Sequence, residues 1–152
     1  MTPEEKMKQL GYELEPVQVG NLPLVPWVRT GNLLFLSGNT PGLKGGKTWK
    51  GQVGKDYTTA EAKEAAREIA VKQLAAAKTA LGDLSKIKRV VKVLGMVNCV
   101  SGYSEQPQVI NGFSELLVEV FGEAGRHARS AVGMAGLPGN APVEIEVIFE
   151  VE

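Results

Sequence analysis

Two charged side chains near the C-terminal end of the sequence are the strongest candidates for chemistry. Arg129 stands in a predicted strand at residues 126–133, and Glu144 stands near the start of a second one at residues 143–149. A guanidinium can hold a carboxylate through two parallel hydrogen bonds, and a carboxylate can accept a proton from an attacking water. The Leu-Pro-Gly-Asn turn at residues 137–140 predicts a hairpin-like connection that brings both charges to one cleft.

The second of these strands has a regular alternation with a period of two residues. Such a period places apolar side chains on one face of the strand and carboxylates on the other. The apolar positions are Val143, Ile145, Val147, Phe149 and Val151, and the opposite positions are Glu144, Glu146, Ile148, Glu150 and Glu152. A row of carboxylates is costly to bury unless it meets water, a cation or a basic partner.

The composition predicts a single globular domain with no general attraction to polyanions. Of the 152 residues, 43% are hydrophobic and 22% are charged, which is enough apolar material for one core. Seventeen basic and seventeen acidic residues cancel, so no net charge draws the protein to nucleic acid or to an anionic membrane.

Cysteine usage and hydropathy predict a location in the cytoplasm. Cys99 is the single cysteine, so it cannot form an internal disulfide, which suits a reducing compartment. No apolar run reaches the ~18–20 residues of a membrane span, and the first six residues lack the apolar core of a signal peptide. One histidine and one cysteine leave no recognisable zinc site, and we expect no metal.

The rest of the chain predicts the elements that position the two charges. Thr2, followed by a proline and two acids, predicts the cap of a short helix that ends at Gly11 within an N-terminal extension, residues 1–24. The remaining predicted elements are an extended segment at 24–29, a buried strand at 33–38, a helix from Thr58 or Thr59 to Leu81, a largely buried strand at 86–100 and a helix at 106–121.

This order of elements predicts one α+β domain, a mixed sheet of about five strands with both long helices on one face. Simple alternation along residues 86–100 places Val91 and Val93 on one face of that strand and Val90 on the other. The sheet face without helices is expected to carry Glu144, Glu146, Leu94 and Met96. Its partly apolar character predicts burial against another copy of the chain.

A glycine-rich segment, residues 38–54, has little periodicity and is expected to be an exposed loop. It contains the isolated Trp49. An aromatic side chain in a flexible loop predicts either packing across a subunit boundary or a cover over the cleft, and the sequence leaves both open.

Several short segments taken together resemble the RidA/YjgF family. They are residues 33–39 (LLFLSGN), 80–84 (ALGDL), 90–93 (VVKV), Asn111, 128–130 (ARS), 137–138 (LP) and 143–146 (VEIE). Each segment alone is a weak signal, whereas the set is specific and covers nearly the whole chain from about Trp27. The chain is most similar to a longer branch of that family.

The resemblance implies a chorismate-mutase-like fold and a homotrimer whose sheets form a central β-barrel, with three clefts between subunits. It implies hydrolysis of reactive enamines and imines such as 2-aminoacrylate, giving a 2-keto acid and ammonia without metal or organic cofactor. The same family also carries the labels endoribonuclease L-PSP and translation inhibitor. In such a trimer we expect Glu146 and Glu150 to face solvent or the barrel rather than to act in catalysis.

The family's site residues map onto this sequence one by one. The resemblance makes Arg129 the group that binds a substrate carboxylate and Glu144 the group that positions water. The substrate-binding positions fall on Trp27, Ser37, Gly38, Asn111 and Ala131. Two of them depart from the family pattern, since many members have a cysteine where Ala131 stands and a tyrosine where Trp27 stands.

Three alternatives accompany this prediction. Arg129 could simply pair with a neighbouring acid, in which case it has a structural role. The departures at Ala131 and Trp27 allow a trimer that binds small carboxylates without turnover. An endoribonuclease or translation inhibitor is less favoured, because a single histidine, His127, lacks a second acid–base group for phosphodiester cleavage and is better explained as a surface or interface residue.

Overall fold

The structure, a computed structural model, describes all 152 residues, and it has the element order that the sequence predicts. The helices are α1 (Pro3–Gln9), α2 (Thr59–Leu81) and α3 (Gln106–Phe121). The strands are β1 (Trp27–Thr30), β2 (Leu33–Leu36), β3 (Ile87–Asn98), β4 (Ala128–Met134) and β5 (Val143–Val151). Short 3-10 turns occupy Leu84–Lys86, Gly122–Gly125 and Pro138–Asn140. No helix combines the length and the apolar composition that crossing a bilayer requires.

Local capping explains why the helices begin and end where the sequence predicts. Thr2 and Thr58 each accept a hydrogen bond from the backbone N–H of a glutamate three residues later, and that glutamate side chain accepts from the cap's own N–H. This reciprocal pair satisfies N–H groups that a helix N-terminus leaves without partners. Gly82 ends α2 in the left-handed conformation, at φ 83°.

The sheet has the strand order β1-β2-β5-β3-β4, so the predicted hairpin between β4 and β5 is wrong. β4 runs parallel to β3, and β5 pairs with the other side of β3 in the antiparallel sense. The physical reason is α3. A strand that returns through a helix lies parallel to the strand before it, and β4 therefore occupies one side of β3 and leaves the other side to β5.

The segment between β4 and β5 crosses the end of β3 and is held there by Asn98. The buried side chain of Asn98 donates to the Ala141 carbonyl and to Asn140 Oδ1, both at 3.1 Å, and its backbone N–H donates to the Pro142 carbonyl at 2.9 Å. The turn predicted at Pro138–Asn140 is present, with Gly139 and Asn140 at positive φ. It is the start of a crossing rather than the tip of a hairpin.

Two irregularities in β3 change which side chains point to the core. The register shifts between Ile87 and Arg89, and again between Val90 and Lys92. As a result Val90 and Val93 are both buried on the helix side, although simple alternation places them on opposite faces. An extra residue at a bulge shifts the side-chain alternation, and the sequence pattern alone does not reveal it.

The core lies between the sheet and the two long helices. The alanine-rich stripe of α2 is buried, and the largest fully buried side chains include Phe113 of α3 and Phe149 of β5. Small residues let the helices approach each other closely: a Cβ on Gly112 of α3 would overlap the Lys63 carbonyl of α2. The face of the sheet opposite the helices carries Glu144, Glu146, Leu94 and Met96 in adjacent pairs, which confirms that prediction.

The segment 38–54 is only partly the exposed loop that its glycines suggest, because residues 44–48 are exposed whereas Trp49 and Val53 are buried. Trp49 is 6% exposed, donates from Nε1 to Glu68 Oε1 at 3.0 Å and packs against Tyr57. Val53 is fully buried and forms a bridge to Cys99 at the end of β3. Trp49 therefore packs inside its own chain, and neither of its two predicted positions is correct. The aromatic and branched side chains anchor the segment, because their burial outweighs the flexibility of the glycines.

Candidate functional site

Arg129 lies on β4, the edge strand of the sheet, and its side chain points to the helix side. Its Nη1 donates to Asn111 Oδ1 at 2.8 Å and to Ser114 Oγ at 3.1 Å, both on α3. All three ion pairs of the chain involve other residues, so Arg129 has no acidic partner. The edge of the guanidinium formed by Nε and Nη2 donates to no group of this chain and matches the geometry of a carboxylate.

Asn111, a predicted substrate-binding residue, makes a polar contact with Arg129 inside the chain. Asparagine is a mediocre helix former, and here its carbonyl oxygen fixes the position of the arginine. Burial lowers the pKa of Arg129, although a guanidinium stays charged at any ordinary pH. The result is a half-buried cation that is hydrogen-bonded only by neutral groups and would gain from binding an anion.

The hydrogen bonds of Arg129 continue to His127. Ser114 Oγ lies 2.9 Å from His127 Nε2, and His127 Nδ1 lies 2.7 Å from the Gly125 carbonyl. A carbonyl can only accept, so Nδ1 carries the proton and Nε2 accepts from the serine hydroxyl. Burial is the main reason why the pKa of His127 is below its usual value, and the positive charge of Arg129 lowers it further.

Ser114 was not among the residues predicted from the sequence. Its signal was its position three residues after Asn111, since residues three apart on a helix lie on the same face. Two polar side chains at that spacing on a helix whose buried positions are otherwise apolar indicate a shared polar partner. In the structure that partner is Arg129.

Glu144 lies on the opposite side of the sheet. It pairs across the sheet with Met96, and it is half-buried. Burial raises the pKa of Glu144, and the neighbouring carboxylate of Glu146 raises it further. A carboxylate whose pKa is shifted toward neutrality is a better proton acceptor for an attacking water than an ordinary one. The carboxylate sits against Gly38, where an added Cβ would overlap Oε2 and force the Glu144 side chain to move.

Ser37 and Gly38, predicted from the end of β2, are fixed by a buried glutamine. Gln73 of α2 donates from Nε2 to the carbonyls of Ser37 and Ile145, both at 2.9 Å, and accepts from Asn39 at 3.0 Å. It thereby ties the end of β2 to the start of β5, next to Glu144. The sequence analysis missed Gln73, although it lies four residues after Ile69 on the buried stripe of α2 and is fully buried itself.

A cavity of about 430 Å³ lies beside this second group. Its walls include Ser37 and Gly38, the α2 residues Val71 and Lys72, and, from the N-terminal extension, residues 15–18, Gly20, Leu22 and Leu24. Lys72 donates to the Thr40 carbonyl at 2.7 Å, and burial lowers its pKa. Neither Arg129 nor Glu144 lines the cavity.

Within one chain Arg129 and Glu144 do not share a cleft, contrary to the first prediction. Arg129 is paired with Val93, which is paired with Val147 of β5, so these three side chains lie on one face. Glu144 is three residues from Val147 on a regularly alternating strand and therefore points to the other face. The sheet itself separates the guanidinium from the carboxylate.

The last two predicted positions also lie on the helix side. Trp27 pairs with Leu36, is half-buried and packs against the core. Ala131 lies two residues after Arg129, pairs with Gly95 and also packs against the core. Both therefore sit on the face away from Glu144. The chain thus divides its site residues into an arginine half (Asn111, Ser114, His127, Arg129 and Ala131) and a glutamate half (Ser37, Gly38, Gln73 and Glu144).

The sequence and the fold match a described family. Residues 4–150 match the family model described as YjgF/chorismate mutase-like, putative endoribonuclease. The chain therefore belongs to the YjgF/RidA family, as the short segments predicted, and has its α+β architecture.

Individual proteins show the same relationship. The chain is 40% identical to Protein TCP17 of Trypanosoma cruzi, over 95% of this chain and 91% of that protein. It is 48% identical to the protein Atu1372 of unknown function from Agrobacterium tumefaciens, with a TM-score of 0.90 and coverage of 99% of this chain and 92% of the other. A structure from Shewanella oneidensis MR-1 with the endoribonuclease description is 34% identical, with a TM-score of 0.93 and coverage of 99% and 100%.

A solved structure named RidA is more distantly similar to this chain. RidA from the Antarctic bacterium Psychrobacter sp. PAMC 21119 is 25% identical to this chain, with a TM-score of 0.55 and coverage of 91% of this chain and 94% of that one. The Agrobacterium and Shewanella structures, with TM-scores of 0.90 and 0.93, are much more similar to this chain.

Proposed function

We propose that this protein is a hydrolase of small enamines and imines such as 2-aminoacrylate, which it converts to a 2-keto acid and ammonia. The observation that carries the proposal is the half-buried Arg129, which has no acidic partner and whose Nε–Nη2 edge is open to a carboxylate. An α-imino acid presents such a carboxylate next to its C=N carbon. The raised pKa of Glu144 supports the second role that the chemistry needs.

The reaction requires little beyond positioning. Arg129 holds the substrate carboxylate, so that the C=N carbon of the imine tautomer faces a water on Glu144. The water oxygen forms a bond to carbon while Glu144 takes one of its protons and passes it to the imine nitrogen, which gives a carbinolamine. Glu144 then moves the hydroxyl proton of the carbinolamine to the nitrogen, so that the C=O bond forms as the C–N bond breaks and ammonia leaves with the electron pair. Free imines hydrolyse without help, so the remaining barrier is modest.

The proposal requires more than one copy of the chain, because the sheet separates Arg129 from Glu144. We propose a homotrimer with a site at each of three seams, where the arginine half of one copy meets the glutamate half of the next. Two features support self-association. β4 is an edge strand with one side unpaired. The sheet face without helices exposes apolar side chains, since Val28 is 54%, Phe35 39% and Val132 38% exposed.

The test is direct. 2-Aminoacrylate is generated enzymatically, and the loss of imine absorbance is followed with and without the protein, while light scattering measures the mass of the particle. We expect faster decay and a mass of three chains. No acceleration by wild type, or a monomer in solution, would contradict the proposal.

A second candidate is a trimer that binds small carboxylates without turnover, and the alanine at position 131 and the tryptophan at position 27 favour it. Calorimetry with pyruvate and 2-ketobutyrate separates the two functions, because binding without imine hydrolysis selects the binder. The endoribonuclease in the family description requires RNA affinity that falls steeply with salt. The equal numbers of basic and acidic residues do not favour it, and a gel shift at low salt tests it.

A further inference from the structure

Three side chains on two elements form a continuous hydrogen-bonded line that the proposed reaction does not use. Arg129 Nη1 donates to Ser114 Oγ at 3.1 Å, Ser114 Oγ donates to His127 Nε2 at 2.9 Å, and His127 Nδ1 donates to the Gly125 carbonyl at 2.7 Å. We name this line the Arg129 relay. We propose that Ser114 and His127 are positioning residues for Arg129, and that binding of an anion by Arg129 is coupled to protonation of His127.

The inference rests on the proposed function in one respect, namely that Arg129 is the group that binds the substrate carboxylate. It adds two residues, Ser114 and His127, to which no role in the site is assigned. It also adds a dependence on pH that does not involve Glu144.

The positioning argument follows from the directions of the hydrogen bonds. A serine hydroxyl has one hydrogen and two lone pairs. Because His127 Nε2 takes the hydrogen, a lone pair of Ser114 is left to face Arg129. Asn111 holds the same Nη1 from one helical turn away, at 2.8 Å. The two acceptors fix the plane of the guanidinium and leave its Nε–Nη2 edge for a ligand.

Protonation of His127 would disturb this arrangement. Nε2 would become a donor, and Ser114 would then lie between two donors, His127 and Arg129, with no acceptor in the relay for its own hydrogen. The new imidazolium would also stand beside the arginine, separated from it only by one hydroxyl. The protonated relay keeps three hydrogen bonds, because the two lone pairs of Ser114 can accept from both donors, but it leaves the hydroxyl hydrogen of Ser114 without an acceptor in the relay and adds one positive charge.

The surroundings of His127 strengthen the effect, because they are mostly cationic. On its own segment Arg126 precedes it and Arg129 follows two residues later, and its contact with α3 is the neutral hydroxyl of Ser114. The hollow that His127 lines is also lined by Lys88, Arg89, Glu123 and Arg126. Glu123 is the one acid among these residues, and it lies 3.3 Å from Arg126.

Coupling follows from this charge balance. A carboxylate bound by Arg129 cancels part of the positive charge near His127 and so makes its protonation easier. Linkage is reciprocal, so protonation of His127 must strengthen carboxylate binding by the same factor. Carboxylate affinity should therefore rise as the pH falls through the range between the pKa of His127 in the free protein and its higher pKa in the complex.

The experiment uses the fact that His127 is the only histidine. In protein labelled with ¹⁵N-histidine, a long-range ¹H–¹⁵N spectrum reports its tautomer and its titration without any assignment. We expect the proton on Nδ1 and a titration midpoint below that of free histidine. Ser114→Ala removes a donor to the neutral base, and Arg129→Gln removes a charge, so both should raise the midpoint. The exposed Ser104→Ala is the matched control and should leave it unchanged.

A proton on Nε2 would overturn the inference, and so would a midpoint that neither Ser114→Ala nor Arg129→Gln moves. These readouts need no ligand and no turnover. The relay can therefore fail while the proposed hydrolase survives, or survive while the hydrolase fails.

The second arm adds pyruvate at saturation. In wild type we expect the midpoint of His127 to rise when pyruvate binds. Ser114→Ala should bind pyruvate about tenfold more weakly, while Ser114→Thr, which keeps the hydroxyl, should bind like wild type. Pyruvate that binds without moving the midpoint, or equally well to Ser114→Ala, would overturn the coupling. No binding to any variant would count against the proposed function and the coupling together.

Discussion

The arginine half and the glutamate half of the molecule differ in how each treats its charge. Arg129 is held by neutral oxygens on α3, and no carboxylate of its own chain neutralises it. Glu144 lies beside a second carboxylate, Glu146, on the opposite face of the sheet, and burial raises its pKa. The arginine half thus has a positive charge with no counter-ion in its own chain. The glutamate half has a carboxyl group whose ionisation is disfavoured. Each is electrostatically incomplete in a way that the other would correct.

In the proposed homotrimer, this difference means that the two charges are kept apart within each chain and meet only on assembly. A guanidinium and a carboxylate in contact within one chain would neutralise each other, and neither would be available to a substrate. Placing them on opposite faces of one sheet prevents that contact. A seam between copies can then bring them close enough to act on one ligand without an ion pair between them.

The largest expected effect comes from breaking the arginine half. Arg129→Ala removes a charge-assisted, two-point contact, and we expect kcat/KM for imine hydrolysis to fall by about 100-fold or more. Steady-state kinetics measure it. Arg126→Ala is the matched control, since Arg126 is exposed and pairs only with Glu123. Equal losses in both variants would mean that general positive charge matters rather than the open edge of Arg129.

The next effect comes from the glutamate half. Glu144→Gln keeps the shape of the side chain and removes the base, and we expect kcat to fall by about 30-fold with a smaller change in KM. Wild-type kcat should fall as the pH drops through the raised pKa of Glu144, because protonation removes the base. That acidic limb should be absent in Glu144→Gln. A limb that persists in the variant would assign it to another group.

Replacing Gln73 should affect the glutamate half of the site and leave the arginine half unchanged. Gln73→Leu removes the side-chain partner of the Ser37 carbonyl and of the Asn39 amide, while the Ile145 carbonyl keeps the backbone N–H of Asn39. The loss should cost about 2 kcal/mol in the free energy of unfolding. Urea denaturation measures this loss. Turnover should fall as Glu144 loses its support, while binding of pyruvate by Arg129 remains. The exposed Gln108→Leu is the control, and loss of pyruvate binding in Gln73→Leu would contradict the division into halves.

The smallest effect is a shift in pH dependence. Glu146→Gln removes the carboxylate that adds to the raised pKa of Glu144. The pKa of Glu144 should therefore fall, and the acidic limb of the kcat profile should move to lower pH with little change in the plateau. Glu150→Gln, farther along the same strand, is the control. A limb that moves upward, or equally in both variants, would exclude Glu146 as the cause.

Local signals explain what the sequence could predict about the fold. The helix bounds were predictable because Thr2, Thr58 and Gly82 act through hydrogen bonds and dihedral angles within a few residues of themselves. The position of β5 in the sheet was not predictable from the sequence. The strand that pairs with β5 depends on the path of α3 and on the crossing held by Asn98. The burial of Trp49 was missed for the same reason, since its partner Glu68 belongs to a different element.

The candidate site shows the same limit. The family resemblance named Arg129, Glu144, Ser37, Gly38 and Asn111, and the structure gives each of them a defined environment. The side of the sheet that each residue occupies depends on strand register, which the sequence does not state. The supporting residues Ser114 and Gln73 were not predicted, because the groups to which they hydrogen-bond lie far away in the chain.

The central claim is that one site is made from the arginine half of one copy and the glutamate half of another. It is tested by co-expressing Arg129→Ala and Glu144→Gln, two variants that should be nearly inactive alone, and measuring imine hydrolysis by the mixed assembly. If copies mix at random, about a quarter of the seams combine an intact arginine with an intact glutamate, so about a quarter of wild-type activity should return. A mixed assembly no more active than the average of the two variants would contradict the claim.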